Sequence, residues 1–532
     1  MRYFEACLAI VLAIAVARPV HAEQPDLVLR NARIVDGTGA PWFRGDVAVK
    51  GDRIVGVGRS LPQGVREIDV NDLVVAPGFI DIHTHAIRRL AASPQAENYV
   101  RQGVTTLFDG HDGFSPLPIA TVLKRAGEVP LGVNFGMFVG HGSIRQAVIG
   151  NENRAPTAAE LERMQAMARE AMLEGAFGLS TGLFYVPGAF ASTDEVIALA
   201  RVVGSLGGIH ISHMRDEAQA VVESVRETIA IGERGGLPTQ ITHHKIVGPA
   251  EAERSRETLR LVYDARRRGV DVTIDQYPYT ASSTTLSTAL LPAWALEGSK
   301  EVVAERLADS ETRMRMRADV VDKLVNERGG GDLRNVQISR CGFDPSLEGK
   351  DLGTVTRERG LDPTFENAAD VVMDVVALGD AFGVFHAIPE ADVVRVLASP
   401  YTMIGSDGEI PEFGRGAPHP RSYGTFPRVL GHYVREQGVI GLEEAVRKMT
   451  SMPAVRLGIL DRGVLRIGMK ADLTVFDPAI IRDAATFSEP HQYAEGVSLV
   501  VVNGVPVLED GKMTGASPGQ VLKGPAGDST RE

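Results

Sequence analysis

The sequence predicts an α/β protein with a (β/α)₈ barrel of the TIM type, a small β-sandwich domain and an inserted helical segment. Three observations support this fold class. Short apolar runs alternate with helix-like segments over residues 76–461. Strand-rich pieces of similar texture flank that region, at residues 23–75 and 462–515. Polar residues directly follow several central apolar runs, as they do at the carboxyl ends of barrel strands.

The first 22 residues are typical of a secretory signal peptide. Arg2 gives a positive start, residues 6–17 form an uninterrupted apolar run, and small residues precede the expected cleavage before Glu23. The run is short for a bilayer span, and an uncleaved membrane anchor is the alternative. We therefore expect an exported protein, periplasmic or secreted, that keeps no stable membrane anchor after cleavage.

The composition is that of a globular protein. Hydrophobic residues make up 44% of the 532 and charged residues 23%, which excludes a wholly disordered chain. The formal net charge is −12, with 56 Lys and Arg against 68 Asp and Glu and no long basic run, so nucleic acid is not an expected partner. After signal cleavage Cys341 would be the one cysteine, which excludes an internal disulfide.

The two terminal pieces consist of short strands separated by turns. Gly51-Asp52 marks one hairpin turn and Asn503-Gly504 marks another. This shared texture predicts one small β-sandwich domain assembled from both ends of the chain. Residues 516–532 are expected to form a disordered tail.

The central region alternates between strands and helices. A capping box at Thr157 and Glu160 predicts one helix start, and Ser192 predicts the next. Residues from about 285 to 351 break the rhythm, because they are charged, helix-like and contain three consecutive glycines, so we interpret them as an insertion. The strand candidates are residues 79–80, 105–108, 132–135, 178–180, 208–211, 239–242 and 270–274.

Histidines with metal-ligand spacing follow several of these strands. His83 and His85 are two residues apart, so on a strand both imidazoles lie on one face and can reach one ion. His213 and His243 occupy comparable places after later strands. Each histidine taken alone also fits a structural role, but four at strand ends favour a metal site.

Asp407 adds a carboxylate after a late strand, within Gly405-Ser406-Asp407-Gly408. Such an aspartate can ligate a metal and take the proton from an attacking water molecule. A turn aspartate is the alternative, because Ser-Asp-Gly is ordinary turn chemistry.

The combined motifs resemble the amidohydrolase superfamily, and in particular the N-acyl-D-amino-acid deacylases, or D-aminoacylases. The resemblance extends from about Asp26 to Asp477. The segments that carry it are residues 76–85, 103–106, 178–185, 212–217, 242–245, 275–279, 405–408, 419–428 and 468–473.

The resemblance implies a role for each matched residue. His83 and His85 would hold a weaker metal site together with Asp407, which would also be the general base and acid. His213 and His243 would hold a tight zinc site. The residues implied to grip the substrate's carboxylate or polarise the scissile carbonyl are Lys245, Tyr277, Ser283 and Arg421. The arginine suits a carboxylate because its planar fork can bind both oxygens.

One loop departs from the family pattern. The family's tight site takes a cysteine from a Gly-Asn-Cys-Gly loop, whereas Gly110-His111-Asp112-Gly113 places Asp112 at the cysteine's position. Its oxygens can still bind one or two zinc ions, and a harder ligand eases exchange for manganese or cobalt. Loss of the tight site is the alternative.

Many amidohydrolases instead bridge two metals with a carboxylated lysine. Between His85 and His213 the one lysine is Lys124, in a predicted helix, which weighs against the dihydroorotase and hydantoinase pattern. The sequence leaves the roles of three further histidines open. They are His111, His141 and His244.

The resemblance therefore implies a metal-dependent hydrolase, with one or two zinc ions, that cleaves the amide bond of N-acyl-D-amino acids, which are small-molecule substrates. The signal-like first 22 residues add the expectation that it is exported. The products would be a carboxylate and a free D-amino acid. A dipeptidase or another amidase on the same scaffold is one alternative. A non-catalytic periplasmic protein that binds metal or ligand is the other, although Asp407 and the histidines argue against it.

Overall fold

The structure, a computed structural model, describes residues 24–527, and the expected signal peptide lies outside them. Among the described residues no helix is long and apolar enough to cross a membrane. The strands are β1 (Leu27–Ile34), β2 (Phe43–Lys50), β3 (Arg53–Gly58), β4 (Arg66–Asp69), β5 (Val74–Pro77), β6 (Phe79–Asp81), β7 (Val104–Asp109), β8 (Asn134–Met137), β9 (Val139–Gly140), β10 (Gly178–Gly182), β11 (Ile209–His213), β12 (Thr239–Ile241), β13 (Val272–Gln276), β14 (Ser282–Thr285), β15 (Val336–Arg340), β16 (Phe382–Phe385), β17 (Thr402–Ile404), β18 (Leu473–Phe476), β19 (Val497–Val502), β20 (Val505–Glu509) and β21 (Lys512–Met513). The helices are α1 (Ile87–Leu90), α2 (Glu97–Val100), α3 (Ile119–Gly127), α4 (His141–Val148), α5 (Ala158–Leu173), α6 (Thr193–Gly204), α7 (Val221–Gly235), α8 (Ser255–Arg267), α9 (Leu286–Leu290), α10 (Lys300–Ala308), α11 (Ser310–Asn326), α12 (Leu352–Glu358), α13 (Phe365–Leu378), α14 (Glu390–Ala398), α15 (Arg421–Arg428), α16 (Leu442–Met449) and α17 (Ser451–Arg456).

A nine-stranded sheet combines strands from both ends of the chain. Its order is β21-β20-β19-β18-β5-β1-β2-β3, and β4 pairs with β1. The two ends of the chain meet where β18 pairs antiparallel with β5, with Val475 opposite Val75. Apolar residues from both ends, such as Leu29 and Leu473, share one buried cluster, so neither end completes this core alone.

Two parallel ladders occupy the middle of the chain. One contains β6, β7 and β8, and the other runs β9-β10-β11-β12-β13-β17. Phe138 alone separates β8 from β9, and Thr84 and Gly408 form a parallel bridge between the segments that follow β6 and β17. Because neighbouring strands are parallel, their carboxyl ends share one edge, where the residues that follow them converge.

The two helix starts predicted from capping signals are confirmed. The Thr157 side chain accepts a hydrogen bond from the Glu160 backbone N–H, and the Thr157 backbone N–H donates to the Glu160 carboxylate at 2.7 Å. Ser192 accepts from the backbone N–H of Glu195 at the start of α6. These caps satisfy N–H groups that have no partner within the helix.

The inserted unit, defined here as residues 282–385, extends beyond the boundary that the sequence predicted at residue 351. It contains an antiparallel sheet of order β14-β16-β15 and the helices α9 to α13. A separate hydrophobic core runs from Leu286 to Phe385. Helix α13 has the apolar periodicity of a helix that covers a parallel sheet, but it packs on α9 and α11. The hydrophobic pattern of the sequence therefore did not reveal where the inserted unit ends.

Residues 516–527 correct the prediction of a disordered tail. The backbone N–H of Phe135 donates to the carbonyl of Gln520 at 2.9 Å, and the N–H of Leu522 donates to the carbonyl of Phe135 at 2.7 Å. This segment therefore pairs with the edge of β8. Its polar, glycine-rich sequence gave no sign of this because the contacts are made by the backbone.

Candidate metal centre

The six predicted ligands come together at the carboxyl ends of the parallel strands. They are His83 and His85 after β6, Asp112 after β7, His213 at the end of β11, His243 after β12 and Asp407 after β17. Five of them line a cavity of about 820 Å³, and the sixth, His83, is fully buried. The predicted convergence of strand ends is therefore present.

The candidate ligand atoms form two groups that share one carboxylate. Within each group they lie within 4.8 Å of one another. The first group is His83, His85, Asp112 and Asp407, and the second is Asp112, His213 and His243. Asp112 belongs to both groups, so it is the residue that would contribute to both sites if two ions were bound.

The first group is spaced for a single ion. Nε2 of His85 lies 3.1 Å from Oδ1 of Asp407 and 3.3 Å from Oδ2 of Asp112. Nε2 of His83 lies 3.6 and 3.7 Å from Oδ1 of Asp112 and Oδ1 of Asp407, respectively. Tetrahedral ligands at zinc bond lengths are about 3.3 Å apart, so small shifts would complete such a site.

The second group is more compact. Nε2 of His243 lies 3.3 Å from Oδ1 of Asp112, and Nδ1 of His213 lies 3.5 Å from the same oxygen. The two imidazole nitrogens are 2.7 Å apart. The three atoms therefore face a common point.

Unpaired buried atoms support a cation at this centre. Nε2 of His83 and Oδ1 of Asp112 are buried and have no hydrogen-bond partner in the described part of the chain. A buried polar atom without a partner costs about 1–3 kcal/mol, a cost that a bound cation would remove. Imidazole and carboxylate donors fit Zn²⁺, and a group without thiolate also admits harder divalent ions.

Three of the candidate ligands have strained backbone conformations. The φ angles of Asp112, His243 and Asp407 are 56°, 35° and 51°. This left-handed region is uncommon for residues other than glycine and is enriched at functional sites. The Asp112 loop can approach its neighbours because Gly110 lacks a side chain: a Cβ there would lie 2.2 Å from the carbonyl oxygen of Phe138.

Neighbouring charges set the protonation of these residues. Burial alone would raise the pKa of Asp407, but the Arg421 guanidinium and His83 hold that pKa below its ordinary range. Nη1 of Arg421 lies 2.7 Å from Oδ2 of Asp407. Burial lowers the pKa of His213 to about 4, so its ring is neutral near pH 7, as a metal ligand must be.

The four predicted substrate-binding residues all line the cavity. They are Lys245, Tyr277, Ser283 and Arg421. The hydroxyl of Tyr277 is buried and has no hydrogen-bond partner among residues 24–527. Lys245 is already engaged, because its ammonium contacts the Glu217 carboxylate and lies 2.8 Å from Nδ1 of His243. Its charge is therefore not free in this structure.

Sequence reasoning assigned no role to three buried residues beside the centre, namely Glu217, Asp275 and Arg328. Oδ1 of Asp275 accepts the backbone N–H of His243 at 2.7 Å and lies 3.4 Å from Nδ1 of His83. Both acidic residues lie in motifs that carried the family resemblance, so a signal was present. Arg328 lies in the inserted unit, where the sequence gave none.

The histidines whose roles were open have different environments. His111 lines the cavity and stacks on His83, with ring centroids 4.0 Å apart. Nε2 of His141 lies 3.0 Å from a buried glutamate of α6, and Nε2 of His244 lies 2.8 Å from a threonine of α8. Neither of these two lines the cavity. Lys124 lies in α3 with 78% of its side chain exposed, which confirms its predicted helical position.

Comparison with known proteins supports the same assignment. Residues 66–508 match the profile described as the Amidohydrolase family. The chain is 38% identical over 521 residues to D-aminoacylase of Alcaligenes xylosoxydans xylosoxydans, covering 93% of this chain and 97% of that protein. It is 37% identical to N-acyl-D-aspartate deacylase of the same organism, covering 94% and 95% of the two chains.

Solved structures agree with the sequence matches. A crystal structure of D-aminoacylase superposes with a TM-score of 0.80 at 37% identity, covering 94% of this chain and all of that one. N-acyl-D-glutamate deacylase from Bordetella bronchiseptica, complexed with zinc and a phosphonate inhibitor, superposes with a TM-score of 0.80 at 34% identity. This match also covers 94% of this chain and all of that one. The chain is therefore a member of the amidohydrolase family, in the group of the D-aminoacylases and N-acyl-D-amino-acid deacylases.

Proposed function

We propose that this protein is a metal-dependent hydrolase that cleaves the amide bond of N-acyl-D-amino acids, releasing a carboxylate and a free D-amino acid. One observation carries the proposal: Asp407 contacts both a candidate metal ligand and a candidate substrate-binding group. Its Oδ1 lies 3.1 Å from Nε2 of His85, and its Oδ2 lies 2.7 Å from Nη1 of Arg421. Similarity over nearly the whole length to D-aminoacylase and N-acyl-D-aspartate deacylase supports the substrate class.

The two ligand groups would hold one or two Zn²⁺ ions. His83, His85 and Asp407 would hold one ion, and His213 and His243 the other, with Asp112 contributing to both. An ion there would polarise the scissile carbonyl and lower the pKa of a water molecule. A zinc-bound deacylase and a D-aminoacylase with a binuclear metal centre, both of similar structure, support this cofactor.

Asp407 would move the proton during hydrolysis. Its carboxylate takes a proton from the attacking water and then gives it to the leaving nitrogen of the amide. Tyr277 would stabilise the carbonyl oxygen as negative charge develops on it, because this residue lines the same cavity and its buried hydroxyl has no partner within the described residues.

Arg421 would bind the substrate's carboxylate, and Ser283 and Lys245 line the same cavity. A guanidinium has five N–H donors, so its contact with Asp407 leaves others free for a carboxylate. This arrangement would place the scissile amide beside Asp407, the group that transfers the proton.

We also propose that the two parallel ladders form one closed eight-stranded barrel, with β8 and β9 counted as a single strand, and that the nine-stranded sheet is a β-sandwich. The bridge between Thr84 and Gly408 supports closure, because it joins the first and last strands of the series. The hydantoinase fold offers weaker support: L-hydantoinase from Arthrobacter aurescens gives a TM-score of 0.56 at 17% identity.

We propose export on the basis of the signal-like first 22 residues. Expression of the full chain in a bacterial host, followed by cell fractionation and N-terminal sequencing, tests this. We expect a mature chain that begins at Glu23 in the periplasm or medium. A full-length protein in the membrane fraction would favour an uncleaved anchor instead.

The substrate class is tested with zinc-reconstituted protein and a panel of N-acetyl-D-amino acids, N-acetyl-L-amino acids and unacylated dipeptides. We expect turnover of the N-acetyl-D compounds and slow or no turnover of the others. Turnover of dipeptides alone would favour a dipeptidase. Binding of metal and ligand without hydrolysis would favour a non-catalytic binding protein.

A further inference from the structure

Glu217 lies on the far side of the second ligand group from Asp112. Nε2 of His243 faces Oδ1 of Asp112 at 3.3 Å, while its Nδ1 faces Oε1 of Glu217 at 3.2 Å. His213 is arranged in the same way, with Nδ1 at 3.5 Å from Asp112 and Nε2 at 3.8 Å from Glu217. Both imidazoles therefore lie between the same two carboxylates.

The inserted unit holds Glu217 in this place. Its Oε2 accepts a hydrogen bond from Nη2 of Arg328 at 3.0 Å, and Nη1 of Arg328 donates to Oγ of Ser282 at 3.1 Å. The same guanidinium lies 5.0 Å from the ring of Phe184, which stacks on His213 with centroids 5.4 Å apart. Arg328 therefore contacts two residues next to His213, namely Glu217 and Phe184.

The chemistry of ligation determines what Glu217 must do. A histidine binds a cation through a nitrogen that carries no proton, so the ring proton must sit on the other nitrogen. If His213 and His243 ligate through the nitrogens that face Asp112, the proton of each ring lies on the nitrogen nearer Glu217. Nδ1 of His243 is within hydrogen-bond distance of Oε1 at 3.2 Å, whereas Nε2 of His213 at 3.8 Å has no hydrogen-bond partner in the described part of the chain and needs a small shift to donate to the same oxygen. Nζ of Lys245 lies 2.8 Å from Nδ1 of His243, and an ammonium can only donate, so a proton on that nitrogen requires Lys245 to turn away from His243 and donate to Glu217 alone.

We propose that Glu217 is a positioning residue that fixes the ring orientation and the protonated nitrogen of His213 and His243, and that Arg328 of the inserted unit fixes Glu217. This inference rests on the metal site of the proposed function. Carboxylates that hold ligating histidines in other metal sites typically contribute 10–100-fold in metal affinity. The competing account is a buried ion pair that contributes only to stability.

The test measures zinc affinity of the full chain by competition with a chromogenic chelator, together with the visible spectrum of the cobalt(II)-loaded protein. We expect Glu217→Gln to lower the affinity about 10–100-fold and Arg328→Met to lower it less. Arg328→Lys should retain most of it, because an ammonium can still reach Glu217. Arg462→Met is the matched control: Arg462 is a buried arginine paired with Asp472, away from the centre, so this variant should lose thermal stability but no affinity.

Two results would overturn the proposal. The first is a zinc affinity and a cobalt spectrum that match the wild type in folded Glu217→Gln and in folded Arg328→Met. If Glu217→Gln does not fold, the result for Arg328→Met decides, because that variant keeps Glu217. The other is wild-type protein that binds no zinc at all. This second result would refute the metal site itself, and with it the inference, so the two failures are distinguishable.

Discussion

Nη1 of Arg421 lies 2.7 Å from Oδ2 of Asp407, and both side chains are almost completely buried. The pair links the residue proposed to transfer the proton with the residue proposed to bind the substrate's carboxylate. Because a buried charge without its partner is strongly unfavourable, each residue also depends on the other for stability. Substitutions at either position therefore need measurements that separate stability from catalysis.

Asp407→Asn is expected to lower kcat by about 10³-fold or more, because an amide cannot accept the proton from water. The variant should remain folded and keep most of its metal. It leaves buried Arg421 without its charged partner, so we also expect a loss of stability of about 3–5 kcal/mol. Steady-state kinetics, circular dichroism and elemental analysis measure the three effects. Near-normal kcat in the folded variant would remove Asp407 from the proton-transfer step.

Arg421→Lys keeps the positive charge but removes the planar fork. We expect KM for substrates with a free carboxylate to rise about tenfold, while KM for the matching carboxamides changes little. Arg428→Lys in the same helix is the matched control, because Arg428 pairs with Asp483 and does not line the cavity. Equal effects of Arg421→Lys on both substrate types would show that this arginine does not bind the carboxylate.

Asp112→Ala is expected to lower metal content and activity together, because it removes the carboxylate shared by both ligand groups. Asp112→Cys should restore a thiolate and shift metal preference towards zinc. Asp112→Asn is the control for backbone strain, since asparagine also tolerates the left-handed conformation. Elemental analysis after dialysis against a chelator measures the result. Full metal and full rate in Asp112→Ala would make Asp112 a loop residue only, and His111 the nearest alternative ligand.

Lys448 gives a prediction on pH and stability away from the centre. Burial lowers its pKa to about 8, and its Nζ donates to the carbonyl of Thr402 at 2.9 Å. The unfolded chain has a lysine pKa near 10.4, so between about pH 8 and 10 it binds more protons than the folded protein. The contribution of Lys448 to the free energy of unfolding must therefore increase with pH in that window, by up to about 3 kcal/mol.

The corresponding experiment compares thermal unfolding of wild type and Lys448→Met at several pH values. Relative to the variant, the wild type should gain stability as pH increases from about 8 to 10. A difference in Tm that is constant across this window would mean that the pKa of Lys448 is not lowered in the folded protein.

Local patterns predicted much of the fold and several of the candidate metal ligands that the structure brings together. The capping box at Thr157 and the spacing of His83 and His85 act within a few residues, so one sequence shows them directly. The ends of parallel strands meet by topology, which is why His213 and Asp407 could be placed at the same centre.

Contacts between distant residues could not be predicted in the same way. Lys245 was expected to bind substrate, and the sequence gave no sign that its ammonium contacts Glu217, which also accepts a hydrogen bond from Arg328 of the inserted unit. The extent of that unit was also underestimated, because α13 has the pattern of any helix with one buried face. Tertiary packing decides which surface such a helix covers, and local periodicity does not.

The most direct test of the central claim is the release of free D-amino acid from an N-acetyl-D-amino acid, measured before chelation, after chelation and after zinc is returned. We predict turnover that chelation abolishes and zinc restores, with little release from the L enantiomer in any state. Release that is unaffected by complete metal removal, or none from the zinc-restored protein with any N-acyl-D-amino acid, would contradict the account.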